Sequence, residues 1–159
     1  MENIIVKYVP ENYSDDSDIK NLVKYISGNG RNKRNENVYD FSARGLSCNP
    51  EKASDQIINM QKNVGKAYKR RIFHFIVSYE KADLDAVKKS AEEIADELFK
   101  DYQLVYGIHT STFNPHIHFA VNRVSRKDGT KMHWDGSDLS ELRRFAYKVS
   151  KENGIGTFI

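Results

Sequence analysis

The sequence predicts an α+β sandwich of two layers, one antiparallel sheet with helices packed on one face. Three observations carry that reading. Short runs of β-branched and aromatic residues recur, most clearly at 71–79, 103–111 and 115–124. Stretches with apolar residues at i, i+3, i+4 and i+7 alternate with them. The links are short, and the one between 111 and 115 leaves no room for the crossover that parallel strands need, so the strands beside it are antiparallel neighbours. With 159 residues and no repeat, low-complexity segment or internal boundary, the chain reads as a single domain, 1–159.

The elements follow in order. Residues 3–9 form a short strand. Ser14-Asp15-Asp16-Ser17-Asp18 then supplies N-cap residues and acids for the positive end of a helix whose stripe is Ile19, Leu22, Val23 and Ile26. Gly28-Asn29-Gly30 ends it, and a polar loop runs to about residue 37. Residues 38–49 carry no decisive pattern. Pro50-Glu51 opens a helix reaching about Lys66, and 71–79 is a strand. Residues 83–100 form the clearest helix, with Leu84, Val87, Ala91, Ile94 and Leu98 on one stripe. After the two strands that flank 111–115, Asp128-Gly129 signals a hairpin turn between Val124 and Met132. A last helix, about 138–152, starts from Ser137 or Asp138 and ends at Asn153-Gly154.

Composition excludes several classes. No apolar run approaches the ~20 residues of a membrane span, so no membrane partner is expected. Met1-Glu2-Asn3 lacks the basic start of a secretory signal, and the single cysteine, Cys48, fits a reducing cytoplasm. The net charge of +3 identifies no partner, but its distribution does more. Acids crowd 11–18 and 92–97. Basic residues cluster at Arg31-Lys33-Arg34, Lys66-Lys69-Arg70-Arg71, Arg123-Arg126-Lys127-Lys131 and Arg143-Arg144-Lys148-Lys151, patches that suit a polyanion or an ordinary solvated surface.

Three of the five histidines lie within ten residues, His109, His116 and His118. Strand alternation puts His116 and His118 on one face, continued by Ala120 and Asn122, with Ile117, Phe119 and Val121 on the other. The wholly apolar face packs on helices, so the histidine face is expected on the open side of the sheet. His109 shares its face with Gly107, whose missing side chain leaves room for a ligand. Neutral imidazoles are good ligands for divalent transition metals, and three of them leave coordination positions for substrate. His74 lies on a strand whose Ile76 and Ser78 share its face, and is either near the site or a satisfied structural histidine. His133 beside Trp134 is either a loop residue or a stacking contact for a base.

The segment His109-x6-His116-Ile-His118-Phe-Ala-Val-Asn122-Arg123 resembles the metal motif of plasmid mobilisation relaxases of the MobA type, within the HUH endonuclease superfamily. His74-Phe-Ile-Val-Ser78-Tyr79 resembles their upstream strand, and Lys24-Tyr25-Ile26 before Gly28 looks like the place where the family keeps its nucleophilic tyrosine. The resemblance spans roughly residues 20–150. It implies a metal triad of His109, His116 and His118, with Mg²⁺ or Mn²⁺ in use and Zn²⁺ or Ni²⁺ able to occupy the site. Tyr25 would be the nucleophile. The partner would be single-stranded DNA at an origin of transfer, held by Lys24, Arg31, Lys33, Arg34, Asn122 and Arg123, with accessory DNA-binding and coupling proteins alongside. Relaxases are often longer, so the chain is expected to be the N-terminal part of a larger protein. One departure stands out. Relatives often place an acid just after the first histidine, where this sequence has Thr110, Ser111 and Thr112.

Nine tyrosines compete for the nucleophile's role. Tyr25 falls about a quarter-turn to the side of its helix stripe, near a glycine-rich loop, where a phenol can be presented to substrate. Tyr147 falls on the polar side of the last helix, where rolling-circle initiators keep theirs. Tyr25 is preferred on the family pattern. The implied reaction is nicking and rejoining of DNA through a 5′-phosphotyrosine, whose covalent link conserves the phosphodiester energy for resealing. The rivals are a rolling-circle initiator or single-tyrosine transposase using Tyr147, and a metal-binding or hydrolytic domain with no covalent tyrosine.

Overall fold

The computed structural model describes residues 4–28, 38–65, 69–110 and 114–155. Five strands, β1 (Ile4–Tyr8), β2 (Val38–Arg44), β3 (Ile72–Tyr79), β4 (Tyr102–His109) and β5 (His116–Ser125), form one sheet in the order β1-β3-β5-β4-β2. Every neighbouring pair is antiparallel. Among the described residues the sheet is joined by four α-helices, α1 (Asp16–Ser27), α2 (Pro50–Val64), α3 (Leu84–Glu93) and α4 (Gly136–Glu152). The α+β class and the antiparallel sheet are those the sequence implies.

The helices form where the caps say they should. In α1 the Asp15 carboxylate accepts from the Asp18 amide and Asp18 accepts in return from the Asp15 amide, a reciprocal cap of two orphan donors. Asn49 caps α2 ahead of Pro50, and Asp83 caps α3. α4 begins two residues earlier than expected because Asp135, not Ser137 or Asp138, is the cap. Its carboxylate accepts from the amides of Ser137 and Asp138, and Asp138 accepts from the Asp135 amide. The 83–100 helix loosens after Glu93 into a π-helical turn, Ile94–Leu98, which delivers Phe99 into the core, stacked on Phe75 at 5.6 Å between centroids. The ambiguous segment resolves into edge strand β2, paired with β4. At 125–131 the turn closes on a single bridge, Val124 to Lys131.

The two sheet faces divide the labour. One face, with Phe73, Phe75, Val77 and Tyr79 of β3, Leu104, Tyr106 and Ile108 of β4, and Ile117, Phe119 and Val121 of β5, packs on α3 and α4 through Val87, Ala91, Leu142, Ala146 and Val149. This is the apolar face, and helices lie on it as expected. The other face is not left open. α1 and α2 lie against it, burying Ile19, Leu22, Val23, Ile26, Ala53, Ile57 and Ile58 over Ile72, Val105 and Ala120. The reason is physical: the α1 stripe needs an apolar partner, and the small residues between the histidines and the distal strand ends supply it.

Gly107 allows the closest part of this contact. A Cβ there would lie 2.2 Å from the Ile26 carbonyl oxygen, so α1 sits on β4 backbone to backbone. The space expected for a ligand is filled by the end of α1. Gly107→Ala should therefore push α1 off the sheet and destabilise the protein by roughly 1–3 kcal/mol, as overpacking does. A urea midpoint equal to the parent's would contradict this contact.

Candidate metal and phosphoryl-transfer site

The β4–β5 register sets His109 opposite His116 and Gly107 opposite His118. The three rings converge, with centroid separations of 5.6 Å for His109–His116, 4.4 Å for His109–His118 and 5.0 Å for His116–His118. One ligand atom from each lies within 4.8 Å of the others. His109 is 0% and His118 3% exposed, while His116 is partly open to solvent and leaves an approach to the cluster.

The donor set fits a metal. Nε2–H of His109 donates to the Ile26 carbonyl at 3.0 Å, so that ring offers Nδ1. Nδ1–H of His116 donates to the Asn114 carbonyl at 3.0 Å, so that ring offers Nε2. Nδ1 of His118 is bonded to Nε2 of His74 at 2.8 Å. Among the described residues His118 Nε2 is the buried side-chain nitrogen without a hydrogen-bond partner, the condition expected of a ligand atom facing its ion's position. Burial first, then the neighbouring His109, His74 and His116, push the His118 pKa down to about 2. Burial and then His109 push His74 down to about 4. Both rings are held neutral, the form that coordinates metal.

Tyr25, one turn before the left-handed Gly28 cap of α1, meets this cluster edge-on. Its ring centroid is 5.2 Å from that of His109 and 5.2 Å from that of His118. It also lines a cleft of about 540 Å³ together with Glu11, Asn12, Asp18, Asn21 and His118. Tyr147 lies on the opposite side of the sheet, half-buried against the α3–α4 core, its hydroxyl donating to the Ile4 carbonyl at 3.4 Å.

The other expected residues scatter. Lys24 is exposed on α1. Arg31, Lys33 and Arg34 lie outside the described residues. Asn122, expected at the DNA, is 0% exposed and is a structural pin instead. It accepts from Gln61 of α2 at 2.8 Å and donates to Gln103 of β4 at 3.0 Å, because α2 covers this end of the histidine face. Arg123 faces the other way and lies over the Phe73 ring, its guanidinium donating to the Met132 and Arg70 carbonyls. Trp134 packs into the apolar core at 4.4 Å from Phe75, and His133 beside it is exposed. His74 does join the site. The sequence reading missed Tyr13, whose hydroxyl pairs with His74 Nδ1 at 3.0 Å. Burial and then the Glu11 carboxylate hold that phenol above its ordinary pKa, so it stays protonated. No spacing or motif announces Tyr13, which precedes α1 in an irregular segment.

Sheet, histidine cluster and adjacent phenol together make a candidate metal centre with a candidate nucleophile on an α+β sandwich. The chain belongs to the relaxase family: residues 25–155 match the model of the MobA/VirD2-like relaxase nuclease domain. Protein TraI of Escherichia coli is 31% identical over 129 residues, covering 76% of this chain and 17% of TraI. Protein MobA of Acidithiobacillus ferrooxidans is 37% identical over 60 residues, 35% of this chain and 15% of MobA. The chain thus spans less than a fifth of either relative. Among solved structures, the manganese-bound MobM relaxase domain in complex with plasmid pMV158 oriT DNA aligns with a TM-score of 0.67 at 12% identity, over 96% of this chain and 88% of that one. A structure described as the molecular basis of vancomycin resistance transfer in Staphylococcus aureus aligns at 0.64 with 14% identity, over 96% and 92%. At these identities the likeness is one of fold.

The depressed histidine pKa values set a pH dependence for the metal-free chain. Folded-state values near 4 and 2 lie below the unfolded value near 6.5, so the unfolded chain binds protons first as pH falls. The contribution is complete above about 6.5 and is lost below it, at up to 1.4 kcal/mol per pH unit for each ring. Urea midpoints measured without metal should fall between pH 7.5 and 5.0. A flat profile would mean that these rings are not buried neutral.

Proposed function

We propose that the chain nicks and rejoins single-stranded DNA at an origin of transfer, using Tyr25 as nucleophile and a divalent metal held by His109, His116 and His118. The observation that carries the reading is the Tyr25 ring 5.2 Å from two of the three candidate ligands, while Tyr147 is across the sheet. The Tyr25 phenol gives up its proton as its oxygen attacks the scissile phosphorus, the P–O3′ bond breaks, and the departing 3′ oxygen takes up a proton in its place. The product is a 5′-phosphotyrosine and a free 3′-hydroxyl, and the reverse attack reseals the strand. When bound, the ion supplies a Lewis acid that polarises a non-bridging phosphate oxygen and favours the phenolate. Mn²⁺ or Mg²⁺ is the proposed ion, on the manganese present in the MobM structure. Lys24 and the basic residues Arg31, Lys33 and Arg34 are proposed to grip the flanking strand through its phosphates.

The wider setting follows the family. Initiation of plasmid or integrative-element transfer, in the cytoplasm and with accessory and coupling proteins, is the proposed role. No described helix is long and apolar enough to cross a membrane.

The test incubates the protein with Mn²⁺ and single-stranded oligonucleotides carrying candidate origin sequences, and reads the protein–DNA adduct on a denaturing gel. Tyr25→Phe should abolish the adduct and leave the fold intact. An adduct that survives in Tyr25→Phe and disappears in Tyr147→Phe would move the protein to the rolling-circle initiator class. Tight metal binding with no adduct on any origin sequence would favour a non-covalent hydrolytic domain.

A further inference from the structure

The cleft beside Tyr25 has a lining that suits a base and not a phosphate. It is bounded by the sheet at Ile76 and His118, by α1 at Asp18, Leu22 and Tyr25, and by the segment 9–13. Its described lining holds two carboxylates, Glu11 and Asp18, and no lysine or arginine. A phosphodiester drawn into that space would meet like charge as it lost water. Lys7 and Lys24 stand outside it. Lys24 is exposed beside Tyr25, and Lys7, opposite Ile76 in the β1–β3 register, is exposed on the edge strand. Arg70 is spent on the wall itself, its guanidinium donating to the Val9 and Pro10 carbonyls and to Asn12 Oδ1. Arg71 fixes the far end of that wall: its amide donates to the Tyr13 carbonyl at 2.8 Å, and its guanidinium pairs with Asp16 at 2.7 Å. The cleft is thus preformed, and its volume of about 540 Å³ is that of a ligand site.

A strand with its phosphates on the outer cations and one base turned inward satisfies both regions. An unstacked nucleobase has apolar faces for Leu22 and Ile76 and a polar edge for the other side chains. An ionised carboxylate only accepts, so it pairs best with an edge that offers adjacent donors. Guanine alone among the DNA bases has N1–H and N2–H side by side on its Watson–Crick edge. Thymine sets its N3–H between two carbonyl oxygens, and adenine and cytosine set one amino group beside an acceptor nitrogen. Asn12, whose amide oxygen is taken by Arg70, is left with its amide N–H groups to give, which suits guanine O6. Asp18 spends Oδ2 on the amides of Ser14 and Asp15, so Glu11 is the carboxylate with both oxygens outside a helix cap. We propose that the cleft receives the unstacked base of the nucleotide adjoining the scissile phosphate and selects guanine, with Glu11 accepting from N1–H and N2–H. This deepens the nicking reading and rests on it for the identity of the strand.

Fluorescence anisotropy in EDTA reads binding without strand cleavage. The probes are a short labelled oligothymidylate and the same strand with one central dG, dA, dC or deoxyinosine. The guanine probe should bind roughly 5–150-fold tighter than the thymine, adenine and cytosine probes, the range of one good bidentate base contact. Deoxyinosine keeps N1–H and O6 but lacks the N2 amino group, and should lose much of that gain. Glu11 is exposed, so Glu11→Gln leaves the core untouched. It sets an amide donor against guanine's donors and should erase the preference. Guanine bound no better than thymine, deoxyinosine bound as tightly as guanine, or a preference that survives Glu11→Gln would overturn the inference. The Mn²⁺ adduct assay reports separately on nicking. A guanine preference without any adduct would uphold base selection by the cleft and overturn the nicking reading. An adduct without a guanine preference would do the reverse.

Discussion

The contact between the end of α1 and Gly107 of β4 is the constraint on which the site depends. Because no Cβ fits there, the Ile26 carbonyl reaches the sheet and accepts Nε2–H of His109. One backbone oxygen therefore both seats the helix and selects the tautomer of a candidate ligand. Tyr25 is the residue before Ile26, so its phenol is carried to the cluster by the same seating. A site built from a helix and a strand held in backbone contact is held more closely than one built on loops, since neither element can shift without breaking the other's hydrogen bond.

The division between faces explains how a small protein can bury three histidines. The α3–α4 face holds the larger apolar cluster, dominated by aromatic rings such as Phe75, Phe99 and Phe119. That burial is the main source of stability, since apolar area removed from water scales with it. The α1–α2 face is smaller, and part of its area is given to His74, His109 and His118, and burial works against protonating His74 and His118. The arrangement is stable because His74 and His118 stay neutral and hydrogen-bonded to each other, and among the described residues the buried nitrogen left over, His118 Nε2, belongs to the candidate metal cluster.

Much of this was legible in the sequence, and the gaps have physical causes. The strand alternation around His116 and His118, together with a link too short for a crossover, is enough to predict which strands pair and which residues share a face. β2 was not legible because it is a half-exposed edge strand, where no strict alternation is imposed. Cover on the histidine face was missed because period-2 reasoning identifies an apolar face but says nothing about what lies over a mixed one. Asn122 shows the consequence. It does share the face of His118, yet four residues along the strand it passes beneath α2, and Gln61 and Gln103 consume its amide. The DNA-contact expectation failed for want of knowing where α2 lay. Tyr13 left no trace at all, since its role depends on a residue 61 positions away.

The choice between Tyr25 and Tyr147 turns on the same point. Periodicity puts Tyr25 at the border of its apolar stripe and Tyr147 on the polar side of its helix, and neither placement says what the residue faces. A border position acquires meaning only when the helix is assigned to a face of the sheet. α1 lies over the histidines, so the border of its stripe overlooks the cluster and the cleft beside it. α4 lies over the aromatic core, so the corresponding position on it reaches the edge strand β1 and the Ile4 carbonyl. The sheet stands between Tyr147 and the imidazoles, and no side-chain rotation carries a phenol through it. Connectivity, rather than the local chemistry of either tyrosine, decides which one lies beside the histidines.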